Sequence, residues 1–138
     1  MYSVTQEIAA SPARIWSLLT DASAFPDWNS TVSRLGGRIA LGEKLRLEVP
    51  LAPGRTFKPQ VTVFEPDRRM QWSDGAAPMF RGVRTFTLEP HGALTRFVME
   101  ETFSGILLPM IKPSLPDFTA AFASFADDLK RASERRSS

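Results

Sequence analysis

Apolar and polar positions alternate at the start of the chain. Val4, Gln6 and Ile8 interleave with Thr5, Glu7 and Ala9, which predicts a strand over 2–9. Ser11-Pro12 then supplies a helix cap and a proline at the first helical position. Ile15, Trp16, Leu18 and Leu19 share one face, so a helix is predicted over 12–20, with Trp16 in the core. Asp21 opens a second short helical turn carrying Phe25 and Trp28, with Pro26 near its end. From Asn29 to Phe103 the period changes to two. Strands are predicted over 30–40, 43–50, 57–65, 69–74, 80–89 and 94–104. Leu45, Leu47 and Val49 alternate with charged neighbours, whereas Val61, Val63 and Phe64 leave the facing of their strand unresolved. Turns fall at Leu41-Gly42-Glu43, Ala52-Pro53-Gly54, Glu65-Pro66-Asp67 and Pro90-His91-Gly92.

The last element carries the strongest pattern. Leu115, Phe118, Phe122, Phe125 and Leu129 recur at spacings of 3, 4, 3 and 4, one continuous stripe on a helix over 115–134. Ser114-Leu115-Pro116-Asp117 reads as its capping box. Three phenylalanines on one stripe bury roughly 450–750 Å². The inner face of the sheet is the one apolar surface large enough to receive them. The order is β-α-α-β6-α, an α+β arrangement in which a curved, seven-stranded antiparallel sheet wraps around a long C-terminal helix. A twisted sheet and a straight helix diverge somewhere along their length, which leaves room for a cavity between them.

Composition narrows the chemistry. The 138 residues suit one domain, 1–138, with the tail 134–138 expected to fray. There is no Cys and one His, so thiolate, iron–sulfur and multi-histidine metal sites are excluded, and no cofactor or metal is expected. The net charge of +2 is small. The cations near the end, Lys130, Arg131, Arg135 and Arg136, read as a solvated helix terminus, which gives no support for nucleic-acid binding. No apolar run reaches the ~18–20 residues of a membrane span, and the N-terminal residues lack a signal-peptide pattern. A cytoplasmic protein is the expectation.

Three stretches resemble the START-like helix-grip superfamily (SRPBCC), in particular its bacterial polyketide cyclase/dehydrase-like members. The first runs from Ile8 through Ser11-Pro12-Ala13-Arg14-Ile15-Trp16 to Asp21, and on through Phe25-Pro26-Asp27-Trp28-Asn29. The second is Pro66-Asp67-Arg68-Arg69-Met70-Gln71-Trp72. The third joins Phe86-Thr87-Leu88-Glu89-Pro90 and Thr95-Arg96-Phe97 to Glu101-Thr102-Phe103-Ser104-Gly105-Ile106-Leu107-Leu108-Pro109. The likeness covers about 3–132 and implies an internal pocket for a mostly apolar small molecule. Function within such a superfamily ranges over carriers, sensors and cyclases. Related sequences often carry a histidine where Arg84 aligns, so the resemblance implies that a titrating base is missing here.

Arg84 and Glu101 are the sharpest candidates for chemistry. Parity groups Arg84 with Phe80, Phe86 and Leu88, and Glu101 with Phe97, Met99 and Phe103. A hairpin centred on 90–93 sets them opposite each other on the inner face, where an unpaired charge is costly. The pair is either a polar anchor on the cavity wall or a structural ion pair untouched by ligand. Trp72 and Met70 share a parity and are read as pocket wall or core. Trp28 lies where the short helices meet the sheet, near one mouth. Phe118 and Phe122 supply the helix side. The expected ligand-binding set is therefore Trp28, Met70, Trp72, Arg84, Phe86, Phe97, Met99, Glu101, Phe118 and Phe122. Segment 105–111 is apolar between Gly and Pro and reads as a lid, a contact surface or a packed connector. His91 is expected to be exposed and inert, and Tyr2 to sit at a fraying terminus.

Three functions fit. The first is binding or carriage of a hydrophobic small molecule such as a lipid, isoprenoid, aromatic or polyketide. The second is a cyclase, aromatase or dehydratase in which Arg84 stabilises an enolate and Glu101 moves a proton. The third is a module that meets a membrane or protein through 105–111.

Overall fold

The computed structural model describes residues 1–135. Its strands are β1 (Tyr2–Ile8), β2 (Arg34–Gly36), β3 (Arg46–Glu48), β4 (Gln60–Glu65), β5 (Arg69–Ala76), β6 (Phe80–His91) and β7 (Leu94–Ser104). Its helices are α1 (Pro12–Leu19), α2 (Phe25–Trp28), α3 (Leu108–Ile111) and α4 (Thr119–Glu134), with 3-10 turns at Ala22–Ala24 and Lys112–Ser114. The predicted order stands, and α4 lies against β1 and β7 as the helix-grip arrangement requires.

The seven strands divide. Five form one antiparallel sheet in the order β1-β7-β6-β5-β4, and β2 and β3 form a separate ribbon. Isolated bridges, Lys44 to Gln60 and Leu47 to Phe57, carry the ribbon onto the edge at β4. The ladder breaks there for a local reason. Pro59 accepts from the Leu45 N–H at 2.8 Å but has no N–H to return. The predicted strands 30–40 and 43–50 shrink to 34–36 and 46–48, because the backbone between them turns through positive φ at Gly37 and Gly42.

The ambiguous strand resolves through a bulge. Val61 pairs with Trp72, but Val63 pairs with Gln71 and Phe64 with Met70. The extra residue flips the parity, so Val61 and Phe64 both look inward. Phe64 meets Trp16 there at 5.3 Å between ring centroids. At the β6–β7 hairpin the turn is Gly92-Ala93 rather than 90–92, with His91 paired to Leu94 and φ of 64° at Gly92. Glycine at the first position of such a two-residue turn matches the twist of the strands.

One helix start matches the pattern and two boundaries differ. Ser11 caps α1 as predicted, its hydroxyl accepting the Arg14 N–H at 3.1 Å. Pro26 lies in the first turn of α2 rather than near its end, since a ring without N–H fits there. The C-terminal helix begins at Thr119, four residues late. Ser114 donates its hydroxyl back to the Ile111 carbonyl at 2.7 Å, so no capping box forms. Asp117 Oδ1 instead accepts from the Thr119 N–H at 3.0 Å and its hydroxyl at 2.8 Å. That arrangement holds the Asp117 carboxyl below its usual range, the backbone N–H being the larger cause.

Phe125 is the hub of the core, at ring-centroid distances of 5.8–6.2 Å from Phe25, Trp28, Phe86 and Phe97. Polar contacts tie α4 down around it. Asp128, buried, accepts the Ser30 N–H at 2.8 Å and its hydroxyl at 2.7 Å. Glu134 accepts the Ala9 N–H at 2.8 Å and the Lys130 ammonium at 2.6 Å. Lys130 and Arg131 of the cationic end thus have acidic partners, Glu134 and Asp128. Arg136 and the last two residues of the expected frayed tail lie outside the described residues. Among the described residues no helix is long and apolar enough to cross a membrane.

Candidate functional site

Antiparallel register builds one transverse row of side chains. Trp72 on β5 faces Arg84 on β6, Arg84 faces Glu101 on β7, and Glu101 faces Tyr2 on β1. All four project to the concave face, because each strand contributes the same parity. The pairing is the one predicted from the hairpin. Arg84 Nε donates to Glu101 Oε1 at 2.8 Å, and the two side chains are 14% and 12% exposed. The guanidinium carbon lies 5.0 Å from the Phe122 ring centroid, so the helix covers the cation with an aromatic face.

One turn nearer the end of the sheet lies a cavity of about 350 Å³. Its floor is Trp72, Arg84 and Glu101, with Phe80 and Phe103 beside them. Leu47, Val49 and Phe57 of the ribbon region form one wall. Ile111, Leu115, Pro116 and Phe118, on the connection between β7 and α4, form the other. Gly82 belongs to this floor for a steric reason. It pairs with Phe103, and a Cβ on it would stand 3.1 Å from Phe103 Cε1. The missing side chain lets the Phe103 ring lie flat across β6.

The expected site residues separate into three groups. Trp72, Arg84, Glu101 and Phe118 line the cavity. Met99 and Phe122 border a void of about 20 Å³ that also touches Arg84 and Phe118. Met70, Phe86 and Phe97 are fully buried core and line neither space, while Trp28 packs on Phe25 and Phe125 away from the cavity. The three strand residues are inward-facing, as parity requires. The helix meets the sheet tightly at their level, which parity alone does not reveal.

Other lining residues escaped the reading. Phe80 and Phe103 share the parity of Arg84 and Glu101, and that was the available signal. Leu47 comes from the ribbon and Phe57 from the segment bridged to it, whose docking no periodicity announces. Tyr2 is not frayed: its ring meets Phe118 at 5.5 Å, Phe122 at 5.8 Å and Phe103 at 6.3 Å. It borders a second, open groove of about 550 Å³ on the outer side of Leu115 and Pro116. His91 is half exposed and accepts from Arg96 at 2.7 Å through Nδ1.

Segment 105–111 forms α3 and its approach. Ile106 is 67% exposed and Met110 78%, so the segment is not a packed connector. Backbone bonds fix it to the β5–β6 turn, Ile106 N–H to Pro78 O and Leu107 N–H to Met79 O, both at 2.9 Å. Gly105 permits this approach with φ of 121°, since a Cβ there would collide with the Met79 carbonyl. Among the described residues no three His, Asp or Glu side chains converge as a metal site.

A family model described as polyketide cyclase / dehydrase and lipid transport matches residues 2–134. No curated protein matches the chain. Solved structures with the same fold include protein MLL2253 from Mesorhizobium loti, 20% identical, with a TM-score of 0.73 over 99% of both chains. DynU16, a protein from the dynemicin biosynthetic locus, is 19% identical with a TM-score of 0.70. That match covers 94% of this chain and 45% of DynU16. Protein jhp0584 from Helicobacter pylori is 15% identical, with a TM-score of 0.75 over 96% of this chain and 87% of that one. At these identities the likeness is one of fold.

Proposed function

The chain belongs to the polyketide cyclase/dehydrase and lipid transport family, and we propose that its function there is to bind and carry a hydrophobic small molecule between the sheet and the β7–α4 connection. One observation carries the reading. A cavity of about 350 Å³ has mainly apolar and aromatic walls and a single polar pair, Arg84 with Glu101, on its floor. Apolar walls with a few placed polar groups are the usual construction of a small-molecule site. A cyclase or dehydratase would have to run its proton transfers on the same floor. The other ionisable groups at the cavity are Asp74 and Arg55, and Tyr2 and His91 lie outside it. Binding needs less of these side chains than turnover does.

The test is native mass spectrometry of the purified protein, followed by titration with a fluorescent long-chain probe. A co-purifying lipid-like mass, or saturable probe uptake at one per chain, is the expected result. An apo mass together with no uptake would remove the reading.

The exposed apolar segment supports a second role at the same end of the molecule. Ile106, Met110 and Met79, the last 50% exposed, form an apolar tip beside Ile111 of the cavity wall. Loading from a membrane or protein partner through this tip would be measured as vesicle- or partner-dependent uptake, lost in the double variant Ile106→Ser, Met110→Ser.

A further inference from the structure

We propose that the cavity selects uncharged hydrophobes carrying a hydroxyl and a carbonyl a few atoms apart, and discriminates against carboxylates of the same shape. The proposal rests on the ligand-binding reading above and narrows it to a chemical class.

The floor pair presents both halves of a hydrogen-bonding couple. Arg84 uses only Nε on Glu101 Oε1. Its Nη1 and Nη2, and Glu101 Oε2, make no hydrogen bond among the described residues and are not sealed off. Both side chains line the cavity. A ligand there therefore meets N–H donors and a carboxylate acceptor side by side. By contrast the Trp72 indole N–H beside them is buried without a partner, and Asp74 Oδ1 already accepts the Gly75 N–H at 2.8 Å. The guanidinium is already oriented, held at 2.8 Å by Glu101 and 5.0 Å from the Phe122 ring centroid, so a ligand need not order it.

Charge balance then sets the class. The ionisable groups on the wall are Arg55 and Arg84 against Asp74 and Glu101. Arg55 is exposed and sits over Phe57. A carboxylate seated on Arg84 adds a negative charge beside Glu101 where water is scarce, and like charges in such a place oppose each other strongly. A plain hydrocarbon strips water from the Nη donors and from Oε2 and returns nothing. A carbonyl can accept from Nη while a hydroxyl donates to Oε2, and that combination satisfies both without adding charge.

Calorimetric titration with four naphthyl compounds of matched size tests this. They are a β-hydroxyketone, the corresponding β-hydroxy acid, the ketone without its hydroxyl, and the alkyl hydrocarbon. At neutral pH the hydroxyketone should bind tightest and the acid at least about tenfold more weakly. In Glu101→Gln the gap should close, with the acid gaining about tenfold on the now unbalanced Arg84. The wild-type series stands alone if that variant does not fold. An acid that binds wild type as tightly as the hydroxyketone overturns the selectivity while leaving the carrier reading intact. Failure of all four, the hydrocarbon included, overturns both.

Discussion

Breaking the Arg84–Glu101 pair from one side should cost far more than removing both partners. Two unit charges about 4 Å apart attract by about 4 kcal/mol at an effective dielectric near 20. Desolvation opposes that gain. Sealed pairs lose about 3–5 kcal/mol when one partner is deleted. This pair remains 14% and 12% exposed to the cavity, so water can reach an orphaned charge. We therefore expect about 2–3 kcal/mol for Arg84→Met and a similar loss for Glu101→Leu, below the sealed-pair range. The double variant, apolar on both sides and close in volume, should lie within about 1 kcal/mol of wild type. The cycle then yields a coupling of about 3 kcal/mol or more, large for neighbours in contact. Urea unfolding at neutral pH, with slopes checked for constancy, measures each corner. At this chain length each kcal/mol moves the midpoint temperature by roughly 3–5 °C, so calorimetry gives an independent reading. Single variants that match the double, with coupling under about 0.5 kcal/mol, would refute the claim that the register forces two charges into a poorly hydrated place.

Three further perturbations probe the rest of the architecture. Gly82→Val should push the Phe103 ring off β6 into the cavity, costing about 1–3 kcal/mol as overpacking and abolishing uptake of a fluorescent lipid probe; unchanged uptake would mean Phe103 does not bound the ligand space. Phe125→Ala removes the ring that meets four others and should cost about 3–5 kcal/mol in urea unfolding. Phe118→Ala, at the half-buried cavity edge, should cost well under that and enlarge the ligand accepted. Glu134 is held below its ordinary value mainly by the Lys130 hydrogen bond and then by the Ala9 N–H. Its stabilisation is complete above the unfolded carboxylate value, 4.5, and fades as pH falls through the lower folded value. Thermal melts of wild type should thus drop more steeply below that pH than those of Glu134→Gln, and parallel curves would count against the contact.

What the chain discloses in advance is governed by distance along it. Period-two alternation and one hairpin turn suffice to set Arg84 against Glu101, because β6 and β7 are long, adjacent and joined by two residues. The same logic fails at Thr62, where a single bulged residue reverses the facing of Phe64, and no residue type there marks the bulge. Strands β2 and β3 were overestimated because alternation persists through glycines whose positive φ ends the pairing. The inward-facing set was correct in direction but not in depth. Met70, Phe86 and Phe97 share a face with Arg84, yet the cavity lies toward Phe80 and Phe103, at the other end of the same strands. Where a helix meets a sheet closely and where it stands off depends on the packed tertiary arrangement, which hydrophobic periodicity does not encode.

The late start of α4 explains that placement. Had the helix run from residue 115, Leu115 and Phe118 would have extended the stripe of Phe122 and Phe125 along the sheet. That extension would have brought a rigid apolar face over Phe103. Instead Pro116 interrupts the backbone and Asp117 restarts it, so the four residues before Thr119 cross the gap as a non-helical strap. The strap covers the cavity from one side while the ribbon, loosely bridged to β4, covers it from the other. Toward Phe125 the aromatic rings pack at 6.0–6.2 Å between centroids and leave a void of about 20 Å³. The hollow thus lies under short elements and a non-helical strap rather than under the long helix α4. That is also where the charged pair lies, since sealing Arg84 and Glu101 completely under a helix would have removed the water that makes two ions tolerable on an apolar wall.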